Sequence, residues 1–534
     1  MNTHFTRITS GIALLGIVLF ALFLRSYHID SAPAGLYPDE AVNAADALTA
    51  NETGDYKLFY PNNYGREGLF INLQAVAFLM FGNTLTALKL WSIIFGTLAV
   101  AGMYFLGSEL FHRRSAGLIA SFMTATSFWA INFSRIGFRA IMVTALLSFL
   151  FYYFFRGLRT RRLSDFAISG FLVGLGLHTY IAFRLVPIIF IFLLPALILS
   201  YERFLARYWK HTAIFIFAAA ISAAPMFYDF FISHPEHFDS RADAVSIFSP
   251  SINHGDFLGT LGKTFGLSLI KYNFWGDQNW RHNYPPYPIL DPFIGFFFLA
   301  GFLYIIWKTV TLIGRRFRQH ERDTHLAVYM FLLSSFFVML MPEFLTNEGL
   351  PHALRSIGTQ MPVFLIATLP AFWLVRKAFR SQTGSKTAFL AIIMLTLTLS
   401  ALFNITKYFV FYAHNPNQAI AFNLNLRNIA DYLLALPPQT NKYVISTDRS
   451  RIEGNHLPIN VQPIFFFTYR KIENLTYLLP DTDTTIARHD SVIILINDDS
   501  RVIENIRRFA PDAIAETIDL HPGTQSAFTI IRLP

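Results

Sequence analysis

The hexapeptide Gly35-Leu36-Tyr37-Pro38-Asp39-Glu40 sets an acidic pair directly behind a proline. A carboxylate in such a position can take a proton from an attacking hydroxyl or amine, provided that it reaches hydrogen-bond distance. The pattern also suits a helix start, because Asp is a favoured N-cap and Pro38 before it fits a chain turning into a helix. The two roles are compatible.

Four further groups combine charge, imidazole or aromatic rings. The first is Tyr64-Gly65-Arg66-Glu67-Gly68, where a surface salt bridge worth less than about 1 kcal/mol is the plain alternative to a functional pair. In the second, Ser134-Arg135-Ile136-Gly137-Phe138-Arg139 and His178-Thr179-Tyr180 with Arg184 fall at the ends of apolar runs. Guanidinium groups there suit a lipid phosphate, whose oxygens match their planar fork, although snorkelling to the interface would place them similarly. A third group, Glu348-Gly349-Leu350-Pro351-His352-Ala353-Leu354-Arg355, offers Arg355 to a phosphate with His352 one helical turn before it. His352 and Glu348 could belong to a divalent-metal site, but two ligands are too few to define one. The fourth, Asp277-Gln278-Asn279-Trp280-Arg281-His282 followed by Tyr284-Pro285-Pro286-Tyr287, holds amides and rings of the kind that bind sugars. An ordered Pro-rich loop with interfacial aromatics reads equally from it.

The elements that position these groups belong to a membrane. Of 534 residues, 53% are hydrophobic and 14% charged, far below the charge of a soluble domain. The net charge of +9 lies mostly in short clusters between apolar runs, which fits membrane topology and not nucleic-acid binding. Cysteine is absent, which excludes disulfides, thiolate metal sites and a Cys nucleophile. Runs long enough to cross a bilayer fall near 8–27, 84–107, 116–134, 138–156, 164–183, 185–200, 212–232, 290–310, 325–343, 353–375 and 387–410. The first is read as a retained helix and not as a signal peptide. About eleven helices result. With the N-terminus cytoplasmic, the clusters around Arg113, Arg159, Arg207, Arg316 and Arg376 to Arg380 all fall on the inner side. The C-terminus is then extracytoplasmic.

A polytopic α-helical domain over 1–410 is therefore expected, with long outer segments at 27–83 and 233–289. A small extracytoplasmic α/β domain follows over 411–534. Segments 39–51 and 68–81 read as helices lying in the interface plane. In the tail, 424–436 and 501–509 are helical by period, and Lys442–Ser446, Ser491–Ile496 and Ala527–Ile531 are short β-branched runs.

Across roughly residues 5–200 the chain resembles the GT-C superfamily of integral membrane glycosyltransferases. The resemblance is to the branch of protein O-mannosyltransferases and aminoarabinose transferases. It is carried by Asp39-Glu40, by Thr53-Gly54-Asp55, by Leu79-Met80-Phe81-Gly82 and by Leu110-Phe111-His112-Arg113-Arg114. It implies an inverting transferase of hexosyl or pentosyl groups, taking a polyprenyl-phosphate-linked sugar to a lipid, glycan or protein acceptor at the outer membrane face. Asp39 would be the catalytic base and Glu40 its neighbour in the motif. Arg66 and Glu67 match, in reversed order, an acidic–basic pair near the donor phosphate. Arg139, Arg184, His352 and Arg355 join them as expected phosphate-facing residues. Tyr64, Asp277, Asn279, Trp280 and His282 are the expected sugar- or acceptor-binding residues. The bacterial inner membrane is the expected location, and the only cofactor entertained is a divalent metal ion.

No Walker loop, His-Glu-x-x-His, nucleophile elbow or dinucleotide fingerprint occurs. A transporter or lipid flippase is the rival reading. It would place ionisable groups near the bilayer midplane and interrupt helices in paired positions, whereas here the polar groups gather at helix ends.

Overall fold

The computed structural model describes residues 3–239, 246–380, 383–480, 490–497 and 499–533. Residues 240–245 of the second long segment and 481–489 of the tail lie outside that description, as does the side chain of Arg380. The first ten helices of the chain are α1 (Thr3–Ser26), α2 (Pro38–Thr53), α3 (Gly68–Phe81), α4 (Leu85–Leu110), α5 (Arg114–Thr126), α6 (Phe128–Phe133), α7 (Ile141–Thr160), α8 (Leu163–Gly176), α9 (Val186–Ser200) and α10 (Phe204–Tyr228). The chain groups into two compact units, Met1–Tyr27 with Ser92–Tyr408 and His28–Trp91 with Phe409–Pro534.

Among the described residues, nine segments are long and apolar enough to cross a membrane, from Ile8–Ser26 to Thr387–Tyr412. Two of the eleven expected runs are not single long helices. The run near 116–134 breaks at Ser127, whose backbone is extended (φ −64°, ψ 132°), and so divides into α5 and α6. The run near 164–183 stops at Gly176, where the ring of Phe183 occupies the space a Cβ would need.

Both short runs nonetheless return the chain across the bundle. Arg159 at the end of α7 makes a two-pronged ion pair with Glu109 at the end of α4, at 2.6 and 2.9 Å, so these helices run parallel. Between them α5 runs back along α4, with Gly117 against Ser108 and Ser121 bonded to Val100. Helix α8 runs back along α7, its Ser169 bonded to the carbonyl of Leu150. It then lies against α10 through Gly170 and Gly174, where a Cβ would come within 2.0 and 2.3 Å of the carbonyl oxygens of Phe215 and Ala219. Two glycines four apart let helix backbones approach in this way. Nine segments thus meet the length of a membrane span among the described residues, where hydropathy alone suggests about eleven.

In the other unit, α2 and α3 pack together through Ala41, Ala44, Ala47, Leu48, Ile71, Ala75 and Phe78, with Phe466 closing the same cluster. Helix α2 thus turns its apolar face into a protein core and not toward the interface plane. Helix α3 differs: Leu79, Met80 and Phe81 at its end stay exposed. A short antiparallel pair, β1 (Phe59–Tyr60) with β2 (Arg66–Glu67), joins the two helices.

The tail forms a five-stranded sheet. Its strands are β3 (Asn441–Ile445), β4 (Leu475–Leu478), β5 (Ser491–Leu495), β6 (Ile514–Ile518) and β7 (Phe528–Leu533), in the order β4-β3-β5-β7-β6. β3 runs parallel to β4 and β5, while β7 is antiparallel to β5 and β6. Strands β3, β5 and β7 and helices Leu424–Ala435 and Ser500–Phe509 fall where the periodicity predicts them. Edge strands β4 and β6 are half polar, which hid them from a search for apolar runs.

Candidate functional residues

Around Asp39 the geometry is local. Tyr37, not Asp39, occupies the N-cap of α2, and Pro38 begins the helix. Capping is done by Glu40, which is fully buried and accepts the Tyr37 backbone N–H at 3.3 Å. Asp39 therefore stands in the first turn with no capping duty, half-buried, and its Oδ1 accepts from the Asn63 side chain at 2.8 Å. Asn63, Tyr64 and Gly65 all adopt left-handed backbone (φ 52°, 62° and 83°), which makes the turn between β1 and β2 tight enough to aim Asn63 at Asp39. At the tip of that turn Tyr64 is 67% exposed.

Arg66 holds the turn down. Its guanidinium is buried, ion-paired with Asp46 on α2, and donates to the Asn43 side chain at 2.6 Å and to the Asn62 carbonyl at 3.0 Å. Asn62 also donates to Asp46 at 2.8 Å. Burial pushes the Asp46 carboxyl up, and the Arg66 charge beside it opposes that rise. Glu67 is buried in β2. Arg66 thus faces a carboxylate in this structure, where the resemblance had suggested a phosphate.

In the membrane unit, residues far apart in sequence converge. Asp277 and His282 are buried, with His282 Nδ1 3.0 Å from Asp277 Oδ2. The same oxygen accepts the Ala353 backbone N–H at 2.7 Å, and the His282 and His352 ring centroids lie 4.7 Å apart. Burial, followed by the positive fields of His282, Arg355, Arg281 and Lys271, holds the His352 imidazole well below its usual pKa. A neutral imidazole is the form that ligates metals. Asp277, His282 and His352 each bring one ligand atom within 4.8 Å of the others, a carboxylate–imidazole set suited to a divalent ion. The sequence pairing of His352 with Glu348 is not what the fold builds. Glu348 instead forms an ion pair with Arg355, which also donates to Thr346 at 2.6 Å.

An ion pair that sequence reasoning missed supports this cluster. Lys271 and Glu343, both fully buried, are paired, and the second Glu343 oxygen accepts the His352 backbone N–H at 2.9 Å. A glutamate at the end of an otherwise apolar run was the available signal.

Arg139 lies over the Tyr180 ring at 5.4 Å. Arg184 sits between Phe230 and Phe238, 4.5 and 5.4 Å from their centroids, and donates to the Phe238 carbonyl at 3.1 Å. It lines an apolar cavity of about 450 Å³ with Val173, Leu177, Phe215, Ile216 and Phe227. Arg135 turns inward, donating to the Leu24 carbonyl at 2.8 Å and to Tyr408 at 3.2 Å. Asn279 closes its own turn by accepting from Arg281, and Trp280 packs edge-on against Tyr284 at 5.2 Å.

The helical bundle with a small sheet domain is similar in fold to the solved structures of ArnT and AglB. Within it, residues 69–227 match the family model described as dolichyl-phosphate-mannose-protein mannosyltransferase. ArnT from Cupriavidus metallidurans in the apo state is similar in fold, with a TM-score of 0.53 and 11% identity over 98% of each chain. The same enzyme bound to undecaprenyl phosphate gives a TM-score of 0.51 and 12% identity, over 99% of this chain and 98% of that one. The oligosaccharyltransferase AglB from Archaeoglobus fulgidus, in complex with an inhibitory peptide and a dolichol-phosphate, gives 0.51 and 14%. That match covers 86% of this chain but only 64% of AglB. No curated protein matches the chain.

Proposed function

We propose that this protein transfers a sugar, with inversion, from a polyprenyl-phosphate-linked donor to an acceptor at the outer face of a bacterial inner membrane, with Asp39 as general base. The observation that carries the reading is the half-buried Asp39 carboxylate, relieved of capping by Glu40 and oriented by Asn63. Asp39 takes the proton of the acceptor hydroxyl or amine as that group attacks the anomeric carbon, and polyprenyl phosphate leaves.

Arg139 and Arg184 meet the charge developing on the leaving phosphate. The apolar cavity lined by Arg184 suits a lipid tail with an anionic head. Arg66 and Arg355, each paired with a carboxylate, act as braces: Arg66 fixes the turn that carries Asn63, and Arg355 fixes the loop that carries His352. Exposed Tyr64 offers a ring for a sugar face, and Trp280, in the other unit, offers one of its own. A divalent ion held by Asp277, His282 and His352 would supply positive charge toward a phosphate. The fold similarity to ArnT and AglB and the family match over 69–227 support the donor class. The N-terminus is taken as cytoplasmic and the tail as extracytoplasmic, as the charge clusters suggest.

The test is release of free polyprenyl phosphate from a panel of polyprenyl-phosphate sugars, each with candidate acceptors, by wild type and Asp39→Asn. Release from one donor by wild type alone supports the assignment. Equal release by both proteins removes Asp39 from the chemistry.

A further inference from the structure

A second cluster of ligating groups contains none of the residues named in the proposed reaction, although it adjoins Arg184. Where α10 ends, Asp229–Ser233 forms one π-turn, in which the His234 N–H bonds back five residues to the Asp229 carbonyl at 2.8 Å. In a regular α-helix, positions five and eight after Asp229 would point about 140° and 80° away from it. The widened turn, followed by the bend at Pro235, brings them together. Such turns recur at functional sites.

His234 Nδ1 lies 3.0 Å from Asp229 Oδ1, and His237 Nδ1 lies 2.9 Å from Asp229 Oδ2. The two imidazoles stack, with centroids 4.7 Å apart and planes inclined by 23°. Both oxygens of one carboxylate thus each face a ring nitrogen, with all three ligand atoms within 4.8 Å. Bonds of 2.0–2.1 Å around a tetrahedral zinc set neighbouring ligand atoms roughly 3.3 Å apart, a few tenths of an ångström beyond the two Asp229–His separations. The Asp229 side chain is 11% exposed, His237 13% and His234 53%, which leaves one side open for a water or other fourth ligand.

We propose that Asp229, His234 and His237 form a binding site for a divalent transition-metal ion of the Zn²⁺ class, separate from Asp277, His282 and His352. The bound ion ties residues 234–238 to the end of α10. That segment includes Phe238, which flanks Arg184 and lines the apolar cavity. The ion therefore orders one wall of that cavity.

The experiment uses the full chain, purified in detergent without a histidine tag, stripped with EDTA and re-equilibrated with Zn²⁺. Bound zinc is counted by elemental analysis for wild type, His234→Ala/His237→Ala and His282→Ala. The expected result is one equivalent fewer in the double variant than in wild type, with the equivalent it loses still held by His282→Ala. The same count in wild type and double variant, including no zinc in either, overturns the proposal. If the double variant does not fold, His234→Gln serves in its place, since that side chain is half exposed. It is expected to keep the metal-free melting temperature and to lose the rise that Zn²⁺ gives wild type. An undiminished rise overturns the proposal.

Discussion

The surroundings of Asp39 and those of His352 are built in opposite ways. Asp39 is oriented by residues 37–66, a span of chain that closes on itself through one tight turn and one buried Arg66–Asp46 pair. His352 is positioned by Lys271, Asp277 and His282 from one segment and by Glu343 from its own, and the two segments meet only after the helices pack. A locally built niche leaves the Asp39 carboxylate half-buried. A remotely built one buries its charges, which then depend on each other to stay folded.

That contrast is sharpest in stability. Lys271→Ala leaves Glu343 buried without its cation and is expected to cost about 3–5 kcal/mol, read as a large fall in melting temperature in detergent. Lys271→Met with Glu343→Leu should recover most of the loss; if it does not, charge pairing is not what the cluster depends on. Asp39→Asn should do the reverse, leaving the melting temperature unchanged while cutting release of polyprenyl phosphate roughly 10²–10⁴-fold, the usual range for a general base. A destabilised Asp39→Asn would break the comparison.

Asn63→Ala removes a single hydrogen bond worth about 1 kcal/mol, so the expected loss is about fivefold in kcat with little change in KM. A change in KM alone would move Asn63 from orienting the base to binding substrate. The smallest effect concerns pH. With its folded pKa held below 6.5, His352 contributes stability that is full above pH 6.5 and is lost as pH falls toward the folded value. In metal-free protein, His352→Gln should flatten that acid-side decline in melting temperature, whereas an unchanged profile would assign the decline to other groups.

Much of the architecture was legible because hydropathy and charge act over short windows. The nine long apolar helices, the helices at 39–51 and 68–81 and the central strands of the tail all follow from residue type and period. The edge strands β4 and β6 did not, because a half-exposed strand carries too few apolar residues to stand out. Asp39-Glu40 was legible as an acidic pair, but which residue caps the helix depended on where the first turn begins, one or two residues that propensity does not resolve. Arg66 and Arg355 are read as phosphate ligands from the family resemblance and their charge, and both find carboxylates, one 20 residues away and one seven.

By itself, then, the sequence determined a membrane-embedded helical chain and the presence of a carboxylate pair after the first helix. These depend on apolar length and on charge counted along the chain. Only the tertiary structure decided which cations are braces, that Asp277 and His282 join His352, and that Asp229, His234 and His237 share one turn. Such groupings arise from helix packing and from a single widened turn, and neither a window of hydropathy nor a motif spacing encodes the distance between side chains brought together in that way.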